Sequence, residues 1–285
     1  MKPAAFAYAK ARSLDHAIAL LGEHEGARVL AGGQSLMATL NMRLDSPSLL
    51  VDINGISGLD GIALRDGAVE IGALVRQSDA ERSDVIAVHA PLIAKALPHI
   101  GHRAIRNRGT LCGSVAFADP AAELPACLLA LGGEVDIAGP EGSRTVKADD
   151  FFRGLFETAL TPRDVVTAIR VPAASDDMRY AFAELARRHG DYAMAGLAAS
   201  ARAEGGGLAD VRLAYFGVGS TPIRAKRAEA AFVGGAIDES RIEAAVAALA
   251  GDLDPPDDIQ ATGAVKRHLA GVLLRRVAHQ LAEAR

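Results

Sequence analysis

Arg28-Val29-Leu30-Ala31-Gly32-Gly33-Gln34-Ser35 is the stretch on which the reading of this chain turns. Val29, Leu30 and Ala31 have the apolar character of a short buried strand and run directly into two adjacent glycines. A helical stretch follows, with Leu36, Leu40 and Leu44 spaced by four. Adjacent glycines admit positive φ and leave room for a ligand to approach the backbone closely. Successive N–H groups at a helix start form an anion nest, to which Ser35 adds a hydroxyl donor. A diphosphate suits such a loop. It is neither Gly-x-Gly-x-x-Gly nor a Walker loop, since no Gly-Lys-Ser/Thr occurs in the chain. Taken alone, an ordinary tight turn capped by serine accounts for the same residues.

Working outward, Ser13 is placed to cap a helix running to about Glu23, with Leu14, Ala17, Ile18 and Leu21 on one stripe. Residues 49–52 read as a strand stopped by Asn54-Gly55, so the chain opens α-β-loop-α-β. A hairpin is expected at 62–64 and 69–71 around Asp66-Gly67. Helical stretches follow near 78–82 and 91–97. Residues 101–125 show no clean period and hold Gly, Pro, Asn and Asp; a long irregular stretch interspersed with apolar residues reads as functional. A helix entered through Pro125 is expected to about Leu131. A second hairpin is expected at 134–138 and 144–147, then a strand at 165–171 ended by Pro172. Residues 173–177 are the best domain boundary. Beyond it lie strand-like runs at 180–187, 192–202 and 211–218, with Gly205-Gly206-Gly207 turning between the last two. Helices at 223–232, 240–249 and 262–283 complete an α+β arrangement.

Composition narrows the function. With 285 residues, half of them hydrophobic, the chain can bury a substantial core in one or two domains. A net charge of −4 carries no basic excess, so no nucleic acid or anionic membrane is implied. The N-terminus lacks the apolar region of a signal peptide and no stretch is long enough to span a bilayer, so a cytoplasmic protein is expected. The two cysteines, Cys112 and Cys127, make no disulfide framework and cannot by themselves supply the four thiolates of an iron–sulfur cluster. The eight histidines are scattered without His-Glu-x-x-His spacing, and no Gly-x-Ser-x-Gly elbow occurs, so neither a metal site nor a catalytic residue is expected.

Two further segments carry possible chemistry. In Asn107-Arg108-Gly109-Thr110-Leu111-Cys112-Gly113-Ser114, glycines again alternate with hydroxyl and amide donors, so two nests far apart in sequence could clamp one diphosphate. An irregular loop packed on the core, with Cys112 as a small buried filler, is the plainer reading. In Asp119-Pro120-Ala121-Ala122-Glu123-Leu124-Pro125, a carboxylate held between prolines suits hydrogen bonding to ribose or ribityl hydroxyls. Glu123 beside a positive helix end is the simpler account of the same residues.

At these three segments the chain resembles the medium, FAD-binding subunits of the molybdenum hydroxylases, a family that includes those of carbon monoxide dehydrogenase, quinoline oxidoreductase and nicotine dehydrogenase, and the flavin domain of xanthine dehydrogenase. The resemblance starts at Phe6-Ala7-Tyr8. It continues through the Gly32 loop with Leu36, Asn41-Met42-Arg43-Leu44, Ile105 to Thr110, Gly113-Ser114 and Asp119 to Pro125, and ends in Gly190-Asp191-Tyr192-Ala193. Each motif alone is weak; the ordered combination is specific.

The resemblance implies a two-lobed FAD-binding domain of the vanillyl-alcohol-oxidase (p-cresol methylhydroxylase) type over 1–172, with lobes of about 1–54 and 55–172, and a C-terminal domain of a three-stranded sheet plus helices over 173–285. By similarity, Arg28, Val29, Leu30, Ala31, Gly32, Gly33, Gln34 and Ser35 form one diphosphate loop and Thr110, Leu111, Cys112, Gly113 and Ser114 the other. Glu123 would bind flavin-side hydroxyls, Leu160 would lie near the flavin ring, and Tyr192 would stand beside it. FAD would receive electrons from two 2Fe–2S clusters on a small subunit, while a large subunit with molybdopterin hydroxylates the substrate, the whole forming a dimer of heterotrimers. The Gln34-Ser35-Leu36-Met37 and Thr110 to Ser114 variants look most like subunits serving N-heteroaromatic hydroxylases.

Two departures stand out. The family often has Gly-Gly where this chain has Cys112-Gly113, so the Cys112 side chain must point away from the phosphates. Several relatives place a lysine before Gly190-Asp191, where this chain reads Phe182-Ala183-Glu184-Leu185-Ala186-Arg187. A stand-alone flavin oxidase and a non-enzymatic nucleotide-binding module are the competing readings. The first needs a catalytic base that the sequence does not offer; bound flavin would exclude the second.

Overall fold

The computed structural model describes residues 2–283. Strands β1 (Ala7–Lys10), β2 (Arg28–Leu30) and β3 (Leu49–Asp52) form a parallel sheet in the order β1-β3-β2. Helix α1 (Leu14–Glu23) begins where the Ser13 hydroxyl accepts a 3.1 Å bond from the His16 N–H, and it buries Ala17 and Leu21. Helix α2 (Leu36–Asn41) is shorter than the leucine spacing predicts. Arg43 takes φ +59, which ends the helix and leaves Leu44 exposed rather than on the stripe.

Strands β4 (Ile62–Arg65) and β5 (Ala68–Gly72) form the first expected hairpin. Asp66 and Gly67 both take positive φ, as a tight two-residue turn requires. Helices α3 (Gln77–Ala80), α4 (Asp84–His89), α5 (Pro91–Ala96), α6 (Arg103–Arg106), α7 (Leu111–Phe117) and α8 (Glu123–Leu131) follow. The stretch 101–125 is thus not irregular throughout. It holds two helices too short to show a period, the second stopped by Ala118 at φ +53. Helix α8 starts at Glu123 rather than Pro125, because proline is tolerated anywhere in a first turn whose N–H groups have no partner.

Strands β6 (Glu134–Gly139) and β7 (Gly142–Lys147) form the second hairpin. Helix α9 (Ala148–Phe151), the small hairpin β8 (Phe152–Gly154) with β9 (Glu157–Thr158), and β10 (Val165–Pro172) come next. The five-stranded antiparallel sheet has the order β4-β5-β10-β6-β7. In the C-terminal part, β11 (Met178–Leu185), β12 (Ala195–Glu204), β13 (Gly207–Phe216) and β14 (Ile223–Arg224) lie in that order. This sheet has four strands, not the expected three. The two residues of β14 pair with Ala214 and Tyr215, where the sequence had suggested the start of a helix. Helices α10 (Lys226–Phe232), α11 (Glu239–Ala248) and α12 (Gly263–Glu283) complete the described chain.

The layers follow from which faces are apolar. Helix α1 packs on β3 of the parallel sheet and on β6 and β10 of the five-stranded sheet, while α7 packs on β5 and β10 and α8 on β10. Helix α8 also packs on β12 and β13, so every residue from Glu123 to Ala130 is buried, as expected for a helix apolar all round. Strand alternation then splits the four-stranded sheet between two cores. Phe182, Ala198, Ala214 and Phe216 join the core around α8, while Ala181, Leu197, Leu213 and Tyr215 pack with Leu273, Leu274 and Val277 of α12. No helix among the described residues is long and apolar enough to cross a membrane.

Candidate functional site

The Gly32-Gly33 loop emerges at the carboxyl end of β2, the edge of a parallel sheet where ligands characteristically bind. Its two glycines have different tasks. Gly33 takes φ +72, whereas Gly32 makes a close approach: a Cβ there would lie 2.4 Å from the Arg108 carbonyl oxygen, 2.8 Å from Gly109 Cα and 2.9 Å from Thr110 N. The two glycine loops therefore touch backbone to backbone. They border a cleft of about 380 Å³ lined by Leu30, Gly32, Gly33, Gln34, Met37 and Arg108 among others. The N–H groups of Gly32, Gly33, Gln34 and Ser35 have no acceptor among the described residues. Four free donors on one turn make a concave, electropositive surface suited to an anion.

The other sequence-predicted residues distribute unevenly. The Arg28 side chain turns away to the surface, where Nε donates to Asp45 at 2.9 Å, and Val29 packs on the core. Ala31 lines the cleft, and Ser35 makes no side-chain cap. In the second loop, Thr110 is buried and its hydroxyl oxygen accepts from the Gly113 N–H at 3.0 Å, capping α7. Leu111 is fully buried, Ser114 half-buried. The Cys112 thiol points into the core toward the Ile71 carbonyl oxygen at 3.4 Å, and burial pushes it up to about 12. The side chain that replaces a family glycine therefore faces away from the cleft.

Beyond the far end of α7 the character of the surface reverses. Asp119, at the turn into α8, accepts from the Ala121 N–H at 2.9 Å, and burial raises it above the usual carboxylate range. Glu123 is buried at the start of α8. Burial foremost, with the charges of Glu184 and Asp119 added, pushes it up to about 7, against the lowering effect of its own backbone N–H and of His99. Glu184 stands on β11 with Oε1 3.3 Å from His99 Nδ1, while its Oε2 is buried without a hydrogen-bond partner. His99 is raised, chiefly by its hydrogen bond to Glu184. Tyr192 is 53% exposed, yet its hydroxyl lies against Asp119, and burial together with that carboxylate pushes it up to about 12. Leu160 is half-buried against the main core, its N–H donating to the Thr158 hydroxyl at 3.2 Å.

Residues 4–174 match the family described as the FAD binding domain in molybdopterin dehydrogenase, and residues 180–281 match the CO dehydrogenase flavoprotein C-terminal domain. The chain belongs to the FAD-binding family of molybdopterin dehydrogenases. It is 34% identical to the glyceraldehyde dehydrogenase medium chain of Sulfolobus acidocaldarius over 99% of this chain and all of that one. It superposes on a chain of carbon monoxide dehydrogenase from Hydrogenophaga pseudoflava with a TM-score of 0.96, at 36% identity, covering 99% of this chain and 98% of that one. Against quinoline 2-oxidoreductase from Pseudomonas putida 86 the TM-score is 0.92, at 36% identity and 99% coverage of both chains.

The donor and acceptor set fits the cofactor of this FAD-binding family. Free backbone donors gather at the Gly32–Ser35 turn, as a diphosphate would require, while most N–H groups of the second loop already have acceptors. Buried carboxylates, one with an unsatisfied oxygen, gather beyond the other end of α7, where hydroxyl and ring N–H donors of a flavin would find acceptors. At about 1.5 Å per residue, the seven residues of α7 separate the two ends by about 10 Å.

Several contributors were missed in the sequence. Asn54, which lines the cleft, was read only as a strand stop, and His99 and Glu184 were assigned no place in the site. Asn54 had a signal: it follows a strand that pairs in parallel with the one feeding the glycine loop. Glu184 lay in the 182–187 stretch already marked by the missing lysine, whereas His99 had no signal, because its partner Glu184 comes from a distant part of the chain.

Proposed function

We propose that this chain is the FAD-carrying electron-transfer subunit of a heterotrimeric molybdenum hydroxylase. It would take electrons from the two 2Fe–2S clusters of a small subunit and pass them to an external acceptor, while a large molybdopterin subunit hydroxylates the substrate. The observation that carries the reading is the backbone contact between the Gly32 and Arg108–Thr110 loops, beside a cleft-lining turn whose four N–H groups have no acceptor among the described residues. When bound, FAD supplies the exchange between paired and single electrons.

In this reading the chain's own residues bind and orient. The 28–35 loop holds the diphosphate through the free N–H groups of Gly32, Gly33, Gln34 and Ser35, and Thr110, Leu111, Cys112, Gly113 and Ser114 complete the site from the second loop, with Gly32 and Gly33 essential. Glu123 accepts from flavin-side hydroxyls, Leu160 packs near the ring, and Tyr192 flanks it while anchored to Asp119. The fold is of the vanillyl-alcohol-oxidase type, with a flavin domain at 1–172 in two lobes of about 1–54 and 55–172, and a second domain at 173–285. The assembly is a cytoplasmic dimer of heterotrimers, and its organic substrate, an N-heteroaromatic compound, binds on the large subunit. Relatives named as the medium subunit of nicotine 6-hydroxylase and subunit beta of caffeine dehydrogenase support that substrate class.

Co-expression with the neighbouring reading frames, followed by size-exclusion chromatography and metal analysis, tests the proposal. Co-elution of flavin, iron and molybdenum with this chain is expected. A chain that elutes alone and whose flavin is reduced directly by an organic substrate would establish the stand-alone oxidase instead.

A further inference from the structure

The two glycine loops belong to different parts of the fold, and a continuous chain of side-chain hydrogen bonds joins them. Asn54 Nδ2 donates to the Ala31 carbonyl oxygen at 2.9 Å, beside Gly32, and to Asp52 Oδ1 at 2.6 Å. Asp52 is itself fixed, since its Oδ1 accepts from the Asn54 N–H at 2.8 Å and its Oδ2 from the Tyr8 hydroxyl at 2.6 Å. Both Asn54 amide hydrogens thus face acceptors, which turns Oδ1 outward to accept from Arg76 Nη2. The other terminal nitrogen of the same guanidinium, Nη1, donates to the Arg108 carbonyl oxygen. That oxygen is the atom a Cβ on Gly32 would strike.

We propose that Arg76 is a positioning residue which, through Asn54 and the Arg108 carbonyl, holds the two glycine loops at the spacing a diphosphate needs. The inference rests on the diphosphate reading given above. A guanidinium is a rigid planar fork, so fixing its two ends fixes the distance between the Asn54 amide and the Arg108 carbonyl. An ammonium is a single compact charge and cannot span both acceptors. Arg76 does not line the cleft itself. The backbone of its segment is tied to the second loop independently, by Gln77 N–H to the Gly109 carbonyl oxygen at 2.9 Å and Leu111 N–H to the Val75 carbonyl oxygen at 3.3 Å.

The test uses the full chain freed of flavin and titrated with FAD, following flavin fluorescence, the visible spectrum of the bound flavin and the melting temperature before FAD is added. Arg76→Lys and Asn54→Ala should each weaken FAD binding by about tenfold. The Arg76→Lys/Asn54→Ala double variant should be no weaker than the worse single one, because either change breaks the same chain of bonds. The spectrum at saturation should not move, since the ring end is untouched. Wild-type affinity in Arg76→Lys would show that charge alone suffices and overturn the proposal, as would additive losses in the double variant. If both variants keep wild-type affinity while Gly32→Ala loses it, the diphosphate site stands and the strut does not. If Gly32→Ala also binds FAD normally, both readings fall.

Discussion

Gly32→Ala is the sharpest probe of the cleft. An added Cβ would sit 2.4 Å from the Arg108 carbonyl oxygen, 2.8 Å from Gly109 Cα and 2.9 Å from Thr110 N. All three are backbone atoms, so no rotamer change relieves the overlap. The loops would have to part by at least about 0.6 Å to restore even a tight contact. Overpacking of this kind costs ~1–3 kcal/mol. Charged to the FAD-competent geometry, that weakens binding by roughly fivefold to a hundredfold. Gly33→Ala tests a different property. Its nearest contact is the flexible Leu30 Cδ1 at 3.0 Å, but φ is +72, and a left-handed residue costs ~1–2 kcal/mol. FAD titration of both variants, with far-ultraviolet circular dichroism to confirm folding, separates close approach from backbone conformation. A folded Gly32→Ala protein that binds FAD within about twofold of wild type, well below the loss expected from overpacking, would refute the clamp argument.

Glu123→Ala removes a buried acceptor and should weaken FAD binding by ~1.5–3 kcal/mol; an unchanged dissociation constant excludes the role. In the flavin-free chain, burial raises Glu123 from 4.5 to about 7, so folding favours its protonated form. Stability should therefore fall as pH rises from about 4.5 to about 7, by up to ~3 kcal/mol, and thermal melts of Glu123→Gln should lose that part of the slope. His99, raised by Glu184, acts in the same direction: its contribution is complete below its unfolded value and is lost as pH climbs through the folded one. Cys112 and Cys127 are both buried, and burial pushes both thiols up, so a thiol reagent near pH 8 should label neither in the native chain and both in guanidinium. Lys266 is 4% exposed and ties α12 to the Gly217 carbonyl oxygen at 2.9 Å and to Asp258 at 2.6 Å. Lys266→Met should lower stability by ~1–3 kcal/mol in a denaturant titration while leaving FAD affinity unchanged.

Sequence alone settled what local chemistry determines. The Ser13 cap, the Asp66-Gly67 turn, the hairpin at 134–147 and the long C-terminal helix were legible because each depends on residues within a few positions. Order-specific resemblance added the family. Period and spacing failed where elements are too short to show them, as with α6, α7 and β14. The site divides in the same way. Gly32-Gly33 suggested an anion loop, because adjacent glycines admit positive φ and a close approach to the backbone, but an ordinary tight turn fitted the same residues. Only the tertiary structure separated the positive φ of Gly33 from the close approach of Gly32 to Arg108, turned Cys112 into the core, and sent the Arg28 side chain to the surface. It alone brought His99, Glu123 and Glu184 together from a short 3-10 turn, a helix start and a distant strand. Burial and through-space charge depend on which segments the layers press together, and no spacing within one segment encodes that.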